Sequence, residues 1–211
     1  MNDQNSEEQD VELISGHSLA RPGEVMPGII HLLPVISRPF FPGQAVPLLM
    51  NSAHWLPTLQ AVERSGQGLL GIVLANATSA EETAPDDFNR IGVVARVHKV
   101  RPMDGHLQVL VECVQRIRID KVLDESAPFT ARVRYLNELT DIDKEEIKAY
   151  SMAVINTIKE LLPLNPLYGE ELKIFLARSN PNEPSVLADF AASLTSASKP
   201  ELQDVLETVD L

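Results

Sequence analysis

The sequence has 211 residues, enough for one large or two small domains with a core of useful size. Hydrophobic residues make up 44% and charged residues 23%, a globular balance that excludes a fibrous or low-complexity chain. The formal net charge of −12 argues against a chain whose whole surface binds nucleic acid, because phosphate binding rests on clustered Lys and Arg.

The first 28 residues read as a tail, and its first 12 carry Asp3, Glu7, Glu8, Asp10 and Glu12 with no Lys or Arg. That composition fits neither a secretory signal nor a mitochondrial presequence. No run approaches the roughly 18 to 20 apolar residues of a membrane span. The lone cysteine, Cys113, lies in an apolar run, allows no internal disulfide and reads as a buried small hydrophobe. A cytoplasmic protein is the expectation.

The spacing then predicts a strand over 29–35, a proline-stiffened loop at Phe40-Phe41-Pro42-Gly43, and a second strand from Val46. Pro47 within that strand implies an edge or a bulge. Asn51 or Ser52 caps a helix to Arg64, ended by Gly66 and Gly68. A strand over 69–75 and a polar loop over 76–89 follow. Two long strands, 91–100 and 107–119, flank Asp104-Gly105, a dipeptide favoured in tight hairpin turns. Their alternation predicts one apolar face and one charged face carrying Arg116 and Arg118. A further strand, 129–136, turns Arg132 and Arg134 outward.

After Asp141 the apolar period lengthens from 2 to about 3.6. Helices are expected over 143–162, 169–178, 185–194 and 200–209, the last reading as one that continues past the chain end. The organisation is thus a tail (1–28), a β-rich part (29–138) and a helical part (139–211).

Chemistry is sparse. The glycines at 66, 68 and 71 have no adjacent Lys, so no phosphate-binding loop is formed. Five scattered histidines and one cysteine offer no zinc spacing. No serine sits in a glycine-flanked elbow, and the pairs Asp86-Asp87 and Glu145-Glu146 suit a loop and a helix start. No catalytic, cofactor-binding or metal-ligating residue is assigned.

What remains is surface. Phe40, Phe41, Pro42, Gln44, Ala45, Val46 and Pro47 form one candidate docking segment, and Met103 at the hairpin tip a second. The plain alternative is that Phe40 or Phe41 plugs the core. Between Arg96 and Arg134, eight basic residues face five acidic ones, leaving +3 there and −15 elsewhere. A nucleic-acid face through Arg116, Arg118, Arg132 and Arg134 is the rival reading, and a solvated sheet face the plain one.

Six sets of motifs follow one another along the chain: Leu33-Pro34-Val35, Phe41-Pro42-Gly43 with Val46-Pro47-Leu48, Ile91-Gly92-Val93-Val94-Ala95, Asp104-Gly105 with Leu110-Val111-Glu112-Cys113-Val114-Gln115-Arg116, Phe129-Thr130-Ala131-Arg132-Val133, and Leu187-Ala188-Asp189. In this order they resemble the N-terminal, substrate-binding domain of bacterial Lon ATP-dependent proteases. Cys113 replaces a frequent glycine, and Ser37-Arg38-Pro39-Phe40 a more aliphatic segment. The resemblance implies an α+β fold: a PUA-like pseudo-barrel with one intervening helix, then a helical bundle. It also implies a non-catalytic part of a hexameric Ser-Lys protease, with unfolded or degron-tagged proteins and sister subunits as partners. ATP and Mg would belong to an AAA+ module outside these residues. A standalone Lon-domain adaptor and a nucleic-acid-binding PUA-like module are the alternatives.

Overall fold

Period-2 alternation of apolar residues between glycine and proline breaks builds six strands, and the computed structural model describes them over residues 26–136, with helical parts at 144–161 and 184–209. In chain order these are β1 (Ile29–Val35), β2 (Ala45–Asn51), α1 (Ser52–Arg64), β3 (Leu69–Leu74), β4 (Ile91–Met103), β5 (His106–Val122), β6 (Thr130–Tyr135), α2 (Lys144–Leu161), α3 (Pro184–Leu194) and α4 (Lys199–Glu207). The helix expected over 169–178 lies outside the described residues. The segment expected as a plain loop, 76–89, contains two short 3-10 turns, Ala80–Glu82 and Pro85–Asp87, and is pinned to β3 by an Ala75–Phe88 bridge.

The strands run in the order β2-β5-β4-β3-β1-β6, and β6 returns to pair with β5. Its ladder joins Ile117 to Tyr135 and Val122 to Ala131, so β3, β4, β5, β6 and β1 close into a ring. Only β1 and β3 are parallel; the other pairs are antiparallel. Register shifts at Val94/Ala95, Val97/Lys99 and Ile119/Lys121 supply the bends that closure needs. β5 is 17 residues long. Its second half belongs to the ring, while its first half projects with β2 as its outer neighbour.

Ile30, Leu32 and Ile117 converge over Gly71, where an added Cβ would lie 2.7 Å from Leu32 Cδ2 and 2.8 Å from Ile30 Cδ1. The α1 helix starts at Asn51, whose Oδ1 accepts the His54 N–H at 3.2 Å. It buries Trp55, Thr58, Leu59 and Val62 against β1, β2 and β5. Burying side chains of that size stabilises by about 1.5 to 3 kcal/mol each.

The C-terminal helices correct one expectation about the sheet. The residues from Gly92 to Val97 are buried on both faces; α4 packs on β4, and α3 reaches β5 through Asp189. Leu202 and Leu206 join the same core as the strands. Arg116, expected to point into solvent, is buried under these helices. Its Nη1 and Nη2 donate to the two carboxylate oxygens of Asp189 at 2.7 and 2.5 Å, and its Nε donates to the Leu206 carbonyl at 3.0 Å. A desolvated guanidinium needs such a set of acceptors, and the helices provide it. Gln203 Nε2 donates to the Ile91 carbonyl at 3.0 Å, and Lys199 Nζ to that of Ile36 at 2.8 Å.

Candidate functional site

The projecting half of β5, with β2 on one side and β4 on the other, is packed on only one face. Leu107, Val109, Val111 and Cys113 are buried on that face. The residues between them look outward. Pro47 pairs with Leu110 and Leu49 with Gln108, while Leu110 pairs with Lys99, Gln108 with Arg101 and His106 with Met103. Directly paired residues share a face. One outward surface therefore carries Pro47, Leu49, Leu110 and Met103, with Lys99 and Arg101 along its far side. Leu49 is 66% exposed, Met103 55% and Leu110 41%. His98 Nε2 and Glu112 Oε2 lie 2.8 Å apart where the bulge brings them together.

A groove of about 340 Å³ opens on the other side of β2. It is lined by Pro34 and Val35 of β1, by Pro47 to Met50 of β2, and by Phe40 and Trp55. Glu81 sits at its rim. The Ser79 hydroxyl donates to the Glu81 carboxylate at 2.6 Å and holds its carboxyl below the usual range.

The sequence-chosen residues separate cleanly on this frame. Phe41 is fully buried in the core, so its assignment to a docking surface is corrected: its ring is one of the largest side chains that fill the interior. Its N–H donates to Gln44 Oε1 at 2.6 Å, which spends the Gln44 side chain on the turn. Pro42 and Val46 are half-buried, Val46 on the face opposite Pro47. Phe40 is half-buried and lines the groove, while Ala45, Pro47 and Met103 are exposed. Leu49 and Leu110 were not singled out by sequence reasoning. The signal was present: Leu48-Leu49-Met50 and Val109-Leu110-Val111 are unbroken apolar runs in strands with only one covered face.

The four arginines do not form one surface. Arg116 is taken by Asp189 in the interior, whereas Arg118, Arg132 and Arg134 are exposed. Asp120 occupies Arg134, accepting from its Nε at 2.9 Å, and Arg134 in turn holds the Asp120 carboxyl below its usual range. The Cys113 thiol is pushed up to about 12 by burial, which removes it as a nucleophile near neutral pH. Among the described residues no group of three or more His, Cys, Asp or Glu is placed to hold a metal ion, and no helix is long and apolar enough to cross a membrane.

A family model described as the ATP-dependent protease La (LON) substrate-binding domain matches residues 29–211. The chain belongs to this Lon substrate-binding domain family. Lon protease 2 of Hydrogenovibrio crunogenus is 44% identical over 185 residues, covering 88% of this chain and 21% of that protein. The Lon protease of Protochlamydia amoebophila is 41% identical over 207 residues, 97% of this chain and 25% of that protein. The chain thus spans about a quarter or less of the length of these Lon relatives. Among solved structures, the N-terminal domain of Mycobacterium avium complex Lon protease aligns with a TM-score of 0.67 at 22% identity, covering 86% of this chain and 91% of that one. The Lon N-terminal domain protein from Xanthomonas campestris aligns with a TM-score of 0.61 at 14% identity, covering 86% and 91%. Both establish the Lon N-domain fold, with a mixed sheet and a few helices.

Proposed function

We propose that this chain is the substrate-recognition domain of a cytoplasmic, Lon-type ATP-dependent protease, and that it captures unfolded or degron-bearing polypeptide on the outward face of β2, β5 and β4. The single observation that carries the reading is the row of exposed Pro47, Leu49, Leu110 and Met103 on one sheet surface. Large apolar side chains exposed together mark interaction sites, and an unfolded chain offers the matching apolar segments. Lys99 and Arg101 beside the row favour segments that also carry acidic residues.

The reading includes a PUA-like pseudo-barrel as the rigid platform and a helical bundle behind it. The domain itself performs no bond chemistry. In a hexameric Ser-Lys protease, ATP and Mg would act in an AAA+ module outside these residues. Weak capture by each domain suffices there, because linked copies raise the effective concentration of neighbouring sites. A tight pocket would slow handover to the motor.

The test is binding of a permanently unfolded model protein, compared between the parent chain and a Leu49→Ser, Met103→Ser double variant. Capture on this face predicts at least a severalfold loss of affinity with unchanged thermal stability. Equal affinity would move the site elsewhere on the domain.

A further inference from the structure

The groove beside β2 is bordered by two strand edges whose backbone parity can be read from their bonds. The Gln44 carbonyl accepts the Cys113 N–H at 2.8 Å, and the Ser52 N–H donates to the Gly105 carbonyl at 3.0 Å. The ladder between these residues is unbroken, so even-numbered residues of β2 face β5 and odd-numbered ones face away. Pro47 therefore presents only a carbonyl outward, and Leu49 presents both N–H and carbonyl. In β1 the Leu32 N–H donates to Phe129 at 2.9 Å and the Val35 carbonyl accepts from Ala75 at 2.8 Å, so Pro34 faces away from β3. Both prolines stand where an outward N–H would otherwise be, the usual device for blunting an edge. Leu49 is left as the one groove-lining residue of β2 with outward-facing donor and acceptor together.

The groove falls within the size range of ordinary ligand sites, and most of its lining residues are apolar, Phe40 and Trp55 among them. Among the described residues, Glu81 is the only charged one lining it. Ser79 fixes that carboxylate in place. An occupant that matches all three features is an extended peptide: free main-chain groups for the edge, apolar side chains for the walls, and a cation for the rim.

We propose that an extended polypeptide segment adds a strand along the open edge of β2, pairing with Leu49 and donating to the Pro47 carbonyl, with apolar side chains in the groove and a Lys or Arg against Glu81. The proposal rests on the reading of this domain as a polypeptide-binding one and specifies how the chain is held. Main-chain pairing gives affinity without demanding a particular sequence, which suits a receptor for unfolded proteins. Every second side chain of the added strand would extend the Leu49 row on the outward face, and the others would rest near Phe40 and Trp55.

The test uses the whole chain and a labelled ten-residue peptide of alternating apolar and small polar residues with one terminal Lys. Two derivatives carry N-methyl groups on alternate residues, one set odd and the other even. An added strand donates from every second N–H only, so one derivative should bind about tenfold or more weakly and the other like the parent. Replacing the peptide Lys by Glu should weaken binding severalfold, and Glu81→Lys should reverse that preference. Equal binding of both methylated derivatives would overturn strand addition while leaving apolar capture intact. A Lys preference unaltered by Glu81→Lys would overturn the rim contact. Failure of an unfolded protein itself to bind would instead remove the underlying reading of function.

Discussion

Arg116 on β5 and Asp189 on α3 are 73 residues apart in sequence and meet as a two-bond ion pair in the interior, with side chains only 8% and 2% exposed. The pair, with the Arg116 bond to the Leu206 carbonyl, ties the helical part to the ring. Removing one partner leaves the other buried without its counter-charge, which costs about 3 to 5 kcal/mol. Arg116→Leu and Asp189→Ala are each expected to lower stability by that amount in urea unfolding. The double replacement by Met and Leu should recover most of the loss. Single variants within about 1 kcal/mol of the parent would contradict the lock.

Gly92 is required by a close backbone approach. A Cβ there would lie 2.4 Å from the Ile72 carbonyl oxygen, which the β3–β4 ladder cannot move. Gly92→Ala is expected to cost about 3 kcal/mol or more. Gly105, with φ of +69° at the hairpin tip and nothing within 4 Å of an added Cβ, should lose only about 1 to 2 kcal/mol as Ala, from backbone strain. Thermal melts of the two variants measure the contrast.

Strand positions, the Asp104-Gly105 hairpin and the first helix were legible because each is a local matter of period, cap and turn chemistry. The edge position of β2 was legible from Pro47 for the same reason. The ring closure was expected from the family resemblance alone, since the register shifts in the β4–β5 ladder at Val94/Ala95 and Val97/Lys99, and in the β5–β6 ladder at Ile119/Lys121, leave no mark in the apolar pattern. Arg116 was misplaced because alternation shows which residues share a face and not what covers it. Only Asp189 and Leu206, far along the chain, turn that face into an interior. Phe41 was ambiguous between core and surface because Phe40 beside it offers the core the same ring, and only the full burial of Phe41 separates the two.

Phe41 and Met103, paired by sequence reasoning, should behave oppositely. Phe41→Ser empties a fully buried site and is expected to cost about 4 kcal/mol. Met103→Ser, at 55% exposure, should stay within about 0.5 kcal/mol of the parent. Guanidinium unfolding of both variants separates the core residue from the surface one.

His31 gives a pH dependence. Burial holds its imidazole below the ordinary value of 6.5, although a bond with the Phe129 backbone works in the other direction. As pH falls from 6.5, the unfolded chain takes up a proton that the folded one still refuses. The stability contributed by neutral His31 is present above that pH and is lost as pH falls towards the folded value. A His31→Asn variant should show a shallower loss of thermal stability between about pH 6.5 and 5 than the parent. Parallel curves would contradict this assignment.

The most direct test of the account is an NMR titration of the labelled chain with a permanently unfolded model protein and, separately, with the same protein folded. Recognition on the outward face of β2, β5 and β4 predicts amide shifts at Pro47's neighbours, Leu49, Leu110 and Met103, seen with the unfolded partner only. No shifts there with the unfolded partner present in large excess, or equal shifts with the folded one, would contradict it.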